Sequence, residues 1–353
     1  MKRGLVVLDP QEIPAEELAG RVSKLQRKLQ QQGIAAALIY GDVYRSGDIT
    51  YLTNNCIYWN EGLLMVPASG QPALLTKLSS RVHTWMRAIS NLQDLRSGPD
   101  LAGLVSKFLE DRIPGTVGLV ELDWWPAGLV DNLRAKLAGW QLQDLGQIVQ
   151  LEREQPSASE LKLLQESAAI SAKAVAAGLD RTLSNPERAG KAEMTARMAG
   201  VEDVFVFCQP AGTEADTTEV LAEFRGYWTV AARVVLKKDA TAWAPMIGNA
   251  YTAAVQRLKA GVAISQLREA AAEQLAGSTF LWRIDLIHHT DLETRGDYRL
   301  PGEETNLIQA VSVVGLRLEV TFSNGTQAVI ADTFAISDNA VTCLTKGLPH
   351  CFF

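Results

Sequence analysis

The chain has 353 residues, a formal net charge of −6, 47% apolar residues and 21% charged ones. That length exceeds what one hydrophobic core usually supports and predicts two domains, in a folded globular protein rather than a disordered or fibrous one. The acidic balance, without clustered Lys and Arg, argues against nucleic acid or an anionic membrane as the main partner. No apolar run reaches the roughly 20 residues of a membrane span. In the opening MKRGLVVLDPQEIPAEE a short apolar patch is followed at once by acids and prolines, unlike a signal peptide, so a cytoplasmic location is expected.

Along ELAGRVSKLQRKLQQQG (17–33), Leu18, Val22, Leu25 and Leu29 recur at helical spacing, and Gly33 stops the run. IAAALIY, GLLMVP and QPALLT, bounded by Gly, Pro, Asn and Ser, read as buried strands. Between the first two lies DITYLTNNC (48–56), which reads as a turn anchored by Tyr51 and Leu52. LAGLVSKFLEDR then predicts a helix, GTVGLVE a strand, PAGLVDNLRAKLAG a helix and WQLQDLG a strand. This alternation predicts an α/β domain with a parallel or mixed sheet over residues 1–152.

A charged, Pro-containing linker follows, and Ser157 with Glu160 three residues on forms a capping box that opens a long helix. Beyond it, EDVFVFCQP, EVLAEFRGYWTVAARVVL, AVSVVGLRLEVTF and TQAVIADTFAIS alternate like antiparallel strands with one covered face. GNAYTAAVQRLKAG and AISQLREAAAEQLAG are helices with glycine stops. The second domain, 153–353, is therefore expected to be α+β.

Cys56, Cys208, Cys343 and Cys351 lack CxxC spacing and predict reduced thiols, with Cys208 as the one candidate reactive group. The acid-rich GTEADTTEVLAE admits either a cation site or a solvated loop leading into a strand. Trp124, Trp125, Trp228 and Trp243 suit cores and interfaces.

The order of these signals resembles the creatinase and Xaa-Pro aminopeptidase family, whose fold is called the pita bread. The resemblance is carried by GIAAALIY and DITYLTNN, by LEREQPSASELKLLQESAAI, by RGYWTVAARVV with Gly226, Tyr227, Thr229 and Arg233, by AAVQRLKAGVAISQL, and by TQAVIADTFAISDNAVTCLT with Asp332 and Thr333. It implies an α/β N-terminal domain plus an α+β pita-bread C-terminal domain. Family peptidases bind two metals through two Asp, one His and two Glu. Carried over, these positions fall on Glu219, Val230, His288 or His289, Gly315 (Glu319 if the register slips) and Ala331. At most two of the five can bind a metal, so no metal and no cofactor is expected; a mononuclear site from His288, His289, Asp291 and Glu219, or a metal-dependent Xaa-Pro aminopeptidase, is the less favoured reading.

Creatinase, a metal-free relative, uses a His and Glu residues on a C–N bond, but its upstream His is replaced here by TEADTTEV. A metal-independent hydrolase or lyase on a small polar molecule would need a new set: His288, His289 and Glu219 as catalytic candidates, with Glu223, Asp291, Glu293, Arg295, Arg233 and Tyr227 around the substrate. In family dimers the N-terminal domain helps wall the partner's cleft, which makes Trp59 a further binding candidate. The alternative is a pseudoenzyme that serves as a binding or dimerisation subunit, as a homodimer or beside an active paralogue.

Overall fold

Leu18, Val22, Leu25 and Leu29 all lie inward on α1 (Ala15–Gln31), and Gly33 at φ +67° turns the chain into β1 (Ile34–Asp42). The computed structural model describes residues 8–180, 182–211, 215–236, 243–279, 281–294, 307–348 and 351–352. They divide into two compact units, Met1–Arg153 and Glu154–Phe353.

In the first unit β1 is followed by α2 (Gly47–Thr53), β2 (Glu61–Pro67), β3 (Ala73–Thr76), α3 (His83–Ile89), β4 (Asp94–Ser97), α4 (Leu101–Leu109), β5 (Thr116–Val120), α5 (Ala127–Lys136), β6 (Gln141–Asp144) and α6 (Gln150–Arg153). The sheet runs β4-β3-β2-β1-β5-β6, with β1 antiparallel to β2 and parallel to β5. Both faces of β1 are covered: Ala37 and Ile39 pack with Leu25 and Leu29, and Ala36 and Leu38 pack with Val105 and Leu133. Two covered faces explain why the strand reads as an unbroken apolar run.

The DITYLT stretch is a helix, α2, and not the expected turn. Ile49 and Leu52, three apart, both face the core, and Asn54 at φ 61° ends the helix with its N–H on Thr50 O. Arg21 fixes it from α1, donating to Tyr51 O at 2.8 Å and lying over the Tyr51 ring.

The second unit repeats one plan. Two helices, α7 (Ala158–Gly178) and α8 (Asn185–Met198), precede β7 (Asp203–Ala211), β8 (Ala215–Phe224) and β9 (Tyr227–Leu236). Then α9 (Ala244–Arg257) and α10 (Ile264–Leu275) precede β10 (Leu281–His288), β11 (Ser312–Thr321) and β12 (Gln327–Ile336), before the short β13 (Val341–Cys343) and β14 (Cys351–Phe352). The sheet order β10-β11-β12-β9-β8-β7 sets the two three-stranded halves back to back at β12 and β9. The capping box forms at the start of α7: Ser157 Oγ accepts from Glu160 N–H, and Glu160 accepts from Ser157 N–H at 2.9 Å.

Along the seam, β9 and β12 share one register pair among the described residues, Ala232 with Ala331. Threonine hydroxyls add further bonds to β12 there, from β9 and from β8. Thr333 Oγ1 accepts from Val230 N–H and donates to Val230 O, and Thr217 Oγ1 does the same for Val329 N–H and Gln327 O. One sheet face is covered by helices, with Ile247, Tyr251, Leu267, Leu316, Leu318 and Ile330 in its core. Among the described residues, no helix is long and apolar enough to cross a membrane.

Candidate functional site

The other face carries the positions at which the family pattern would place its metal ligands. Residues aligned across neighbouring strands point to one side of a sheet, and successive residues of a strand point to opposite sides. The pairings Phe207–Glu219, Glu219–Ala232, Ala232–Ala331, Ala331–Arg317 and Arg317–Asp285 therefore make one row on one face across all six strands. Val230, Leu221, Ile287, Val329 and Trp228 lie beside it in an apolar cluster that includes Ala232 and Ala331.

Arg317 is the residue that sequence reasoning missed. Gly315, the expected position, pairs with Thr333, whereas Ala331 stands opposite Arg317. A Cβ at Gly315 would meet Val230 Cγ1 at 2.6 Å, so the glycine makes room for the valine. Across the seam Arg317 grips Glu219 bidentately, Nε to Oε1 at 2.8 Å and Nη2 to Oε2 at 3.2 Å, with both side chains about 5% exposed. Three strand spacings separate their backbones by about 14 Å. Only two long side chains reaching over alanines can close that gap. A charged residue inside VSVVGLRLEV was the available signal, since a buried charge in an apolar strand needs a partner.

The guanidinium also donates to Glu319 Oε2 at 2.6 Å and lies 3.9 Å from Asp285 Oδ2. Arg283 Nε approaches the same Oδ2 at 2.8 Å, but off the angle of a hydrogen bond, so neither Asp285 oxygen is hydrogen-bonded although the residue is 3% exposed. Burial pushes the Asp285 carboxyl up, and the charges of Arg283 and Arg317 oppose this. Among the described residues no group of three or more His, Cys, Asp and Glu is placed to hold a metal ion. The residues present do not fit a dinuclear metal centre. Val230 and Ala331 stand at two positions where the resemblance would place anionic ligands, and Glu219, at a third, is already paired with Arg317.

The other candidates are dispersed. His288 pairs with Val314 of the helix-side core, an odd number of residues from Asp285, so it faces away from Glu219; its Nδ1 is buried without a hydrogen-bond partner. His289 is buried in the turn after β10, with its N–H on Val313 O at 3.2 Å. Arg233 is on the helix side, held by Asp332 Oδ1 at 2.7 Å and by the carbonyls of Ala232 and Ala331. Asp332 also accepts from Tyr251 and Thr345. Tyr227 donates to Glu160 at the start of α7. Asp291 and Glu293 lie in the short 3-10 turn Asp291–Thr294, and Arg295 lies outside the described residues.

Glu223 shares the face of Glu219 at the far end of β8, opposite Trp228 and near Glu202. Burial and the Glu223 carboxylate push the Glu202 carboxyl up to about 8. Glu202 Oε2 accepts the N–H of Arg225 at 2.6 Å in the β8–β9 turn. Cys208 has its thiol pushed up by burial, the opposite of activation. The tip of the acid-rich segment, residues 212–214, lies outside the described residues. In the first unit Trp59 is 60% exposed and rests against Tyr58 and Trp85, with ring centroids 6.2 and 6.1 Å away.

This fold and row define a pita-bread protein. Residues 21–155 match the Creatinase/Prolidase N-terminal domain. Over the whole chain it is similar to the X-Pro aminopeptidase of Thermotoga maritima, with 17% identity, a TM-score of 0.78 and coverage of 94% of this chain and 99% of that one. The prolidase of Pyrococcus horikoshii is similar at 17% identity and a TM-score of 0.77, covering 93% and 99%. So is the N-terminal domain of the FACT complex subunit SPT16 from Cicer arietinum, at 12% identity and a TM-score of 0.67, covering 96% and 99%. Likeness at these identities establishes the fold. No curated protein matches the sequence.

Proposed function

We propose that this chain is a pita-bread protein without metal-dependent peptide cleavage that acts as a binding or dimerisation subunit. The observation that carries this reading is the row Glu219–Ala232–Ala331–Arg317, flanked by Val230, in which the only carboxylate at a family ligand position is tied to an arginine. Two adjacent divalent ions require several anionic oxygens to offset their charge, and this row supplies none that is free of a cation. The placement of Glu219 and His288 on opposite faces supports the same reading, because a water-activating pair must converge within hydrogen-bond reach. A subunit role agrees with the occurrence of the fold in a subunit of the FACT complex.

The test is to incubate the purified chain with manganese, cobalt and zinc, dialyse, and measure retained metal together with hydrolysis of Xaa-Pro dipeptides. Substoichiometric metal and no cleavage are expected. Stoichiometric metal with turnover would return the chain to the peptidases. Light scattering on the same sample, with any copurifying protein identified, separates a homodimer from a pairing with an active paralogue.

A second reading, a metal-independent hydrolase or lyase acting on a C–N bond of a small polar molecule, draws on the Glu202–Glu223 pair, where one carboxyl keeps its proton near neutral pH as a general acid does. Turnover of a guanidino or amide compound that is lost in Glu223→Gln would favour it. Inactivity across such a panel leaves the subunit reading in place.

A further inference from the structure

The first unit carries a groove of about 160 Å³ bounded by α1, the β2–β3 turn and the connection from α3 to β4. Among the described residues no acid, base or histidine lines it. Apart from Ser23, whose hydroxyl donates to Ala19 O, its polar side chains are carboxamides: Gln26, Gln71, Asn91 and Gln93. Gln26 is committed, because its Nε2 donates to Pro67 O at 2.9 Å and to Gly70 O at 2.8 Å and so ties the turn to α1. The other three side chains make no hydrogen bond among the described residues. The α3–β4 connection is anchored as well: Asn91 N–H rests on Thr53 O at 3.2 Å, and Asn54 Nδ2 donates to Ile89 O at 2.8 Å. The base of the groove is apolar, with Val22 and Leu92 buried in the core of the unit.

We propose that this groove is a binding site for a neutral, flat heterocycle that carries a ring amide, the class to which nucleobases and cyclic dipeptides belong. A carboxamide presents an N–H donor and a C=O acceptor side by side. Its bidentate complement is a group with an acceptor and a donor on one edge, as in a cis ring amide. An ordinary trans peptide bond directs its N–H and C=O to opposite sides and meets a carboxamide through one bond only. Carboxylates bring acceptors alone and guanidinium groups donors alone. With no charged side chain in the lining, neither finds a counter-charge there.

Size and layout narrow the ligand further. A void of about 150 Å³ accepts one six-membered aromatic ring, and this groove is of that size. Its polar groups stand at the rim, where Gln71 and Gln93 are exposed, and its apolar groups at the base. A flat heterocycle is divided in the same way, with polar edges and apolar faces, whereas a sugar ring alternates hydroxyl and C–H groups around its circumference. No internal hydrogen bond of the three rim carboxamides has to break when a ligand arrives, so each new bond counts in full toward binding. The site lies within the first unit and does not depend on the reading of the row in the second.

The test titrates the full chain with uracil and with cyclo(Gly-Gly), read by ligand-observed NMR and calorimetry, beside N-methylacetamide, glucose and acetate as controls. Saturable binding of at least one ring amide is expected, with each control at least about tenfold weaker. Binding of uracil alone assigns the site to nucleobases and of cyclo(Gly-Gly) alone to cyclic dipeptides, and either supports the proposal. Loss of one two-bond contact weakens binding about tenfold, and such a loss in any of Asn91→Leu, Gln71→Leu or Gln93→Ala places the ligand at the rim. Gln71 and Gln93 are exposed, so their variants keep the fold and carry the test even where Asn91→Leu does not fold. Binding of neither ring amide, equal binding of a control, or unchanged affinity in every folded variant overturns the proposal.

Discussion

Glu202 is a buried carboxyl whose charge state depends on its surroundings near neutral pH. Burial and the nearby Glu223 carboxylate hold its carboxyl up to about 8, against about 4.3 for a free glutamate. Between those values the folded chain keeps a proton that the unfolded chain has released, so stability falls as pH rises through that window, by at most about 1.4 kcal/mol per pH unit. Glu202→Gln keeps an acceptor for the N–H of Arg225 and removes the titration. Its Tm should therefore fall less than that of wild type between pH 5 and 8, and parallel curves would show that Glu202 ionises normally. Little of this was legible beforehand: Glu202 and Glu223 are 21 residues apart, and only the β7–β8 pairing sets them close. Arg317 was equally hidden in its role. The sequence marks a charge within an apolar strand, but its partner Glu219 lies 98 residues away.

At the scale of elements, the seam between β9 and β12 depends on side chains. Thr333→Val removes a hydroxyl that bonds both the N–H and the carbonyl of Val230, leaving two buried backbone groups without those partners. A loss of about 1–3 kcal/mol in denaturant unfolding is expected, and a change under about 0.5 kcal/mol would mean that the backbone re-pairs. Gly315 tests the packing on the same seam. Gly315→Ala should destabilise by about 1–3 kcal/mol because its methyl meets Val230 Cγ1, and adding Val230→Ala should recover part of that loss. Additive losses in the double variant would locate the strain elsewhere. Element type was readable where periodicity was long, as in α1 and α7. It failed at DITYLT, where seven residues with β-branched members form α2 because Ile49 and Leu52 are both drawn into the core and Arg21 grips Tyr51 O. Tertiary packing there overrides local propensity.

At the scale of the molecule, each unit has a hydrophobic core of its own: α1 and the β1-centred sheet in one, the helix-covered eight-stranded sheet in the other. Residues 154–353 expressed alone are expected to fold, with cooperative unfolding and a near-UV signal from Trp228 and Trp243. A non-cooperative transition would show that the second unit needs the first.

By itself the sequence determined the α/β and α+β classes and the capping box at Ser157 and Glu160. Each of these is a local property of residue type and spacing. Only the tertiary structure decided that Arg317 and not Gly315 stands opposite Ala331, that Glu219 and His288 face apart, and that Asp285 joins the charge cluster. Those facts depend on strand register, which brings together residues tens of positions apart and turns a one-residue shift into a change of face.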